Sequence, residues 1–380
     1  MSIGRIALAV IAIIGFLGGM NYYVGRRLFQ TLTFHFPKIN LLIYTGIYIV
    51  IAVSFILARL PLPAVIRSLM NSIGSIWMGV WVYLMVFFIL TDIIIFVGSA
   101  VKIIPAGLLL NVQFYARIIS IVLSIGIISY GLYNANQTKI VSYDIQLNGR
   151  LSEEMTIVLI ADSHLGDTNG EERLEDIVAG INSLNPDIVC IAGDIFNDDF
   201  YNIQDPERAS ALLQRIESTY GVYAVLGNHD GGRTLPEMME FLERSNVTLL
   251  NCEHAIIDER LILIGRLDAS PIGGFGEMSR KDFSEITNQI DENLPIVVMD
   301  HNPGHIGEYG NDVDLILAGH THRGQIFPGS LFTRAMFTVD YGHYQRDSDS
   351  PHVIVTQGVS TWQMPMRVGT NNEIVSIVVR

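Results

Sequence analysis

Four apolar stretches crowd the first third of the chain, at about residues 3–23, 41–60, 73–100 and 112–133. They constrain the fold more than any other feature. Each reaches the ~20 residues that an α-helix needs to cross a ~30 Å hydrocarbon layer. The first stretch, with Arg5 as its charged flank, could be read as a signal peptide. No small-residue cleavage site follows it, however, and Gly18-Gly19-Met20 runs into Tyr22-Tyr23. The pattern therefore predicts four transmembrane helices with both ends on one side. Charge divides along the same line. Up to Lys139 there are nine Lys/Arg and a single acid, Asp92, which leaves 15 bases against 37 acids in the remainder. A disordered chain, one homogeneous globular domain and a nucleic-acid binder with a basic surface are all excluded.

The basic residues orient the spans only weakly. Arg26, Arg27, Lys38, Lys102 and Arg117 flank the first and third loops, against Arg5, Arg59, Arg67 and Lys139 on the other side. Five against four leans toward those loops being cytoplasmic, with the C-terminal part on the non-cytoplasmic side of a multi-pass protein in the cell membrane. Asp92, within the third stretch, is either a functional carboxylate or one bonded to a neighbouring helix.

From residue 139 to 380 the chain reads as one layered α/β domain, with 1–138 as the transmembrane domain. Strand-like runs at 155–161, 187–192, 222–226, 261–265, 295–299, 313–318, 352–356 and 373–379 alternate with helical spacing at 171–184, 207–218 and 235–244. Cys190 and Cys252 are too few for a disulfide framework and read as small core residues.

Polar chemistry collects where these runs end: Asp162-Ser163-His164, Gly193-Asp194, Gly227-Asn228-His229-Asp230, Asp300-His301 and Gly319-His320-Thr321-His322. Five of the ten histidines lie in these turns. Residues two apart on a strand share a face, so Asp-x-His and His-x-His each aim two donors one way. Taken singly, each motif is more simply a turn residue or, at Asp162 and Asp194, a helix N-cap. Together, carboxylate, amide oxygen and imidazole suit Mn²⁺, Fe²⁺ or Zn²⁺, and the lack of thiolate disfavours a structural zinc. Seven ligand candidates exceed one ion's needs, which predicts two metals sharing a carboxylate.

This ordered set resembles the calcineurin-like metallophosphoesterases, in their membrane-anchored branch. Asn185-Pro186-Asp187, Gly324-Gln325 and the stretch from Gln357-Gly358 to Arg367-Val368-Gly369 extend the likeness over nearly all of 151–380. The resemblance implies an αββα sandwich. It implies one metal on Asp162, His164 and His322, another on Asn228, His301 and His320, and Asp194 between them. It further implies that His229 contacts the phosphate, with Asn228 beside it, and protonates the leaving group, that Asp230 orients His229, and that a water shared by the ions is the nucleophile. Two departures stand out. Where relatives carry Gly-Asp-x-x-Asp, Asn197 takes the fifth place, followed by Asp198 and Asp199. Arg323 stands where relatives carry glycine, as a candidate anion-binding residue or a solvent-facing one.

The expectation is a hydrolase with two divalent ions, Mn²⁺ foremost, that cleaves a phosphoester or pyrophosphate of a membrane-associated, lipid-like substrate. The apolar segment 326–341 would be either a core lid or a surface meeting lipid. Alternatives are a tethered phosphatase for soluble nucleotides or phosphomonoesters, and a non-catalytic receptor or transport component. The expected partners are the bilayer and the phosphorylated substrate, without nucleic acid; a homodimer is compatible with the sequence.

Overall fold

A computed structural model describes residues 3–147, 151, 153–288, 290 and 294–380. The chain forms two compact units, Met1–Gly131 and Leu132–Arg380.

The first unit is helical: α1 (Ile3–His35), α2 (Leu41–Ala52), α3 (Ser54–Leu57), α4 (Ala64–Ala100) and α5 (Leu109–Ala135), whose last residues enter the second unit. Among the described residues, two helical segments are long and apolar enough to cross a membrane, Val65–Ala100 and Ala106–Ala135. The expected second span is interrupted. Asn40 caps α2 by accepting from the Leu42 and Ile43 amides, but the helix stops after 12 residues, about 18 Å at 1.5 Å per residue. Val53 leaves helical geometry (φ −104°, ψ 5°), and a single turn, α3, follows. Asp92 of α4 is bonded within the unit. It accepts from the Tyr23 hydroxyl at 2.6 Å and pairs with Arg27 at 2.5 Å, both on α1.

The second unit is a mixed α/β sandwich. One six-stranded sheet has the order β1 (Thr138–Ile145), β12 (Asn372–Val379), β2 (Met155–Ile160), β3 (Ile188–Ala192), β4 (Val222–Val225), β5 (Val247–Leu249). The other runs β10 (Gly342–Tyr344), β11 (His352–Val355), β9 (Leu315–Ala318), β8 (Ile296–Met299), β7 (Leu261–Gly265), β6 (Glu253–Ile257). Strand periodicity explains the layering. Ile157 and Leu159 of β2 enter the core between the sheets with Cys190, Leu263, Val297 and Leu317. Their neighbours Val158 and Ile160 point the other way, under α6 (Glu171–Asn182), whose Leu174, Ile177, Val178 and Ile181 lie at helical spacing. Helices α7 (Pro206–Leu213), α8 (Leu235–Arg244), α9 (Phe283–Thr287) and α10 (Gly329–Met336) complete the unit. Both cysteines are buried and free.

The eight expected strands are all present, within a residue or two at their ends. Four others carry weaker signals. β5 and β10 span only three residues each, and β1 and β6 alternate too little to announce a buried face. β1 lies at the sheet edge, parallel to β12, from Thr138 against Asn372 to Ile145 against Val379.

Candidate metal centre

Strands β2, β3 and β4 are parallel neighbours in one sheet, and β8 and β9 in the other, so their C-terminal ends present turns side by side. Asp162 and His164 follow β2, Asp194 follows β3, Asn228 and His229 follow β4, His301 follows β8, and His320 and His322 follow β9. The backbone bends sharply there: Asp162, His164, Asp194, His320 and His322 all have positive φ, which is uncommon outside glycine. Two glycines make the approach feasible. A Cβ on Gly227 would stand 2.2 Å from Asp194 Oδ1, and one on Gly319 would stand 2.7 Å from Asp162 Oδ2.

The side chains form two clusters joined by one carboxylate. In the first, His164 Nε2 lies 3.1 Å from His322 Nε2, which lies 3.5 Å from Asp162 Oδ1. In the second, His320 Nδ1 lies 3.3 Å from His301 Nε2 and 2.8 Å from the Asn228 side-chain oxygen. Asp194 Oδ2 stands 3.8 Å from His164 Nε2 and 3.2 Å from His301 Nε2, between the two groups. Asp162, His164 and His322, and separately Asp194, His301 and His320, each offer ligand atoms within 4.8 Å of one another.

The donor set fits bound cations on its own chemistry. Four imidazoles and two carboxylates converge here, with ring nitrogens only 3.1–3.3 Å apart, a set rich in ligand atoms. The buried Nδ1 of His164 has no partner among the described residues. His301 Nδ1 must donate to the Ala192 carbonyl at 2.7 Å, so in the neutral ring Nε2 keeps its lone pair toward the site. Protonation follows burial. Desolvation lowers His164 and His320 to about 4 and drives His322 well down, with the Arg367 charge assisting at His322. It lifts Asp162 to about 7, and the neighbouring Asp194 charge adds to the rise. At His301 and Asp194 burial acts against the charged forms, but their mutual attraction outweighs it: His301 is raised well above its ordinary value and Asp194 is lowered. Most of the imidazoles are thus held neutral, the form that ligates metal.

His229 lies beside the clusters, its ring 5.2 Å from that of His164 and 5.5 Å from that of Trp362. Its Nδ1 meets Asp198 Oδ1 at 2.6 Å. This corrects the expectation that Asp230 orients His229. Asp230 is fully buried and accepts from the Phe196 and Gly227 amides at 2.8 and 2.7 Å, bracing the turn. Asp198 is the residue that sequence reading missed. Its signal was the Asn197-Asp198-Asp199 departure, which shifts the second carboxylate by one position. Burial opposes protonation of His229, but the Asp198 bond together with the Asp194, Asp198 and Asp230 charges outweighs it and raises its pKa. Arg323 occupies the turn directly after His322. Its guanidinium lies 4.5 Å above the Tyr341 ring and forms no ion pair among the described residues.

Comparison with known proteins agrees with this geometry. Residues 155–324 match the calcineurin-like phosphoesterase family. The chain carries a domain of that family. It is 30% identical over 285 residues to a transmembrane protein with metallophosphoesterase domain from Danio rerio, covering 70% of this chain and 63% of that one. An uncharacterized metallophosphoesterase from Campylobacter jejuni is 29% identical over 262 residues, 67% of each chain. One from Helicobacter pylori is 28% identical over 231 residues, covering 59% of this chain and 60% of the relative. The chain thus spans roughly three fifths of the length of several curated relatives that it matches. The phosphoesterase match spans the ligand turns through Arg323.

Proposed function

We propose that the chain is a membrane-held phosphohydrolase that uses two divalent ions, Mn²⁺ foremost, to cleave a phosphoester or pyrophosphate of an amphiphilic substrate. The observation that carries the reading is the placement of Asp194 between two clusters of buried, largely neutral imidazoles. Divalent ions bound there would supply Lewis acidity toward phosphoryl oxygens and a nucleophile at neutral pH. The remaining work belongs to the chain. Asp162 and Asp194 set the negative charge of the cradle, and the Asn228 oxygen completes the second cluster. Asp198 keeps a proton on His229 Nδ1, leaving Nε2 to donate to the departing oxygen. Arg323, in the turn after His322, would hold a further anionic oxygen.

An amphiphilic substrate is supported by α10 and its flanks. Phe337 packs 6.0 Å from the His320 ring, while Phe327, Leu331, Phe332 and Met336 are exposed, Met336 by 75%. Exposed side chains do not form a core lid. Held against lipid, they would gain roughly 25 cal/mol per Å² on leaving water. The apolar helices, and the relatives described as transmembrane proteins, support membrane attachment. We read the helical unit as four spans with α2 and α3 as the short second one, and the catalytic domain on the non-cytoplasmic side.

The test uses the full chain loaded with Mn²⁺. Phe332→Gln together with Met336→Gln should lower cleavage of lipid phosphoesters in mixed micelles while sparing soluble nitrophenyl esters. Equal rates on both classes would make the protein a tethered enzyme for soluble substrates. A metal-loaded chain inert on every phosphoester would make it a scaffold.

A further inference from the structure

The helical unit holds a buried charge that the fold leaves without an answer. Arg117, on α5, is only 8% exposed, and its Nε has no partner. Among the described residues its guanidinium forms no hydrogen bond or ion pair. Its charged neighbours are Arg26, Arg27 and Asp92, and the one carboxylate among them is already engaged by Arg27 and the Tyr23 hydroxyl. Positive charge is therefore in excess where it is costly. Removing a cation from water without a partner carries a penalty of several kcal/mol.

The same unit holds an apolar cavity of about 400 Å³ between α1, α2, α4 and α5. That volume falls within the ~300–1,000 Å³ of small-molecule sites. Leu28 and Leu32 of α1, Tyr48 of α2, Trp77 of α4, and Phe114 and Ile118 of α5 line it. Phe114, Ile118 and Ile121 line it from α5, and Arg117, one residue before Ile118 and at helical spacing from Phe114 and Ile121, stands at the edge of that face. Two of the hydroxyls at its border are already engaged. The Tyr44 and Tyr48 hydroxyls donate to the Gly25 and Asn21 carbonyls.

We propose that this site binds an anionic lipid, with its phosphate on Arg117 and part of an acyl chain in the cavity. A neutral apolar ligand would leave the arginine unpaired, and a small anion alone would leave the cavity unfilled. The lipid supplies both complements at once. The site is separate from the metal centre and makes no use of its chemistry.

The experiment uses the full chain in detergent micelles with phosphatidylglycerol or phosphatidylcholine of identical brominated chains, or with inorganic phosphate alone. Bromine quenching of Trp77, isolated by comparison with Trp77→Phe, reports the chain in the cavity, and thermal unfolding reports stabilisation. Phosphatidylglycerol should quench and stabilise; phosphatidylcholine and phosphate should do neither at the same concentration. Arg117→Gln should weaken phosphatidylglycerol binding roughly ten- to a hundredfold, as expected for loss of a charge-assisted bond. Ile118→Trp keeps the charge and fills the cavity; it should abolish quenching, and it decides the matter if Arg117→Gln does not fold. Equal binding of the two lipids, full stabilisation by phosphate alone, or undiminished phosphatidylglycerol binding in either variant would overturn the proposal.

Discussion

The metal centre and the helical cavity are both places where buried polar groups outnumber their protein partners, but the excess has opposite sign. Around Asp194 the fold gathers ligand atoms, with imidazole nitrogens 3.1 and 3.3 Å apart, and holds most of the rings neutral. Around Asp92 it sets Arg26, Arg27 and Arg117 against one carboxylate. The first surplus calls for cations and the second for an anion. A buried group that is left unpaired is expensive, so the sign of a surplus identifies the chemistry of the missing partner. The two regions also differ in rigidity of specification. The metal centre is fixed by strand ends from two sheets, whereas the helical charges sit along three helices.

The largest expected effect breaks the first region alone. Asp194→Asn should lose bound metal at both clusters and turnover together, measured by elemental analysis and hydrolysis of nitrophenyl phosphate. Retained metal with full turnover would remove Asp194 from its place between the ions. His229→Ala should keep both metals while turnover falls ~10²–10⁴-fold, with the loss shrinking for better leaving groups. A loss independent of leaving group would reduce His229 to a phosphate contact. Asp198→Asn should cost roughly 10–100-fold, the usual scale for a residue that orients a site imidazole. Asp230→Asn should instead lower stability by about 1–3 kcal/mol, because the Phe196 and Gly227 amides lose a charged acceptor. If the Asp230 variant lost the leaving-group dependence and the Asp198 variant did not, their roles would be reversed.

Acid sharpens the same contrast. In the metal-free chain His301 holds its proton well above the ordinary imidazole range because Asp194 outweighs burial. That proton must leave before Nε2 can ligate. Metal affinity should therefore rise with pH, with protons released on loading, as titration calorimetry in buffers of different ionisation enthalpy would detect. Pairing of His301 alone stabilises the metal-free fold at low pH, and this contribution disappears as pH rises through its raised pKa. The smallest effect belongs to the other region. Asp92→Asn should leave metal content and soluble-ester turnover unchanged, since its partners Tyr23 and Arg27 lie in the helical unit.

What sequence reading could reach follows from the range of the interactions. The eight strands and the ligand turns are local patterns: alternation within four to eight residues, then a polar turn. Asp198 was missed because its partner lies 31 residues away and the expected partner, Asp230, stands next to His229 in sequence. The break in the second apolar stretch was hidden because 41–60 is apolar on average, and hydropathy does not report where Val53 leaves helical geometry. The surplus at Arg117 needed coordinates, since composition counts charges without saying which are already paired.

Strand β1 directly follows the last apolar helix, yet among the described residues its only ladder is with β12, which comes after nearly all the rest of the domain. At ~5–20 residues per second, a ribosome would make β12 roughly tens of seconds after β1. Throughout that interval β1 has no partner, and the edge of its sheet stays open. Completion of the sheet must therefore follow synthesis of β12, so the first strand of the second unit to be made is among the last to be secured.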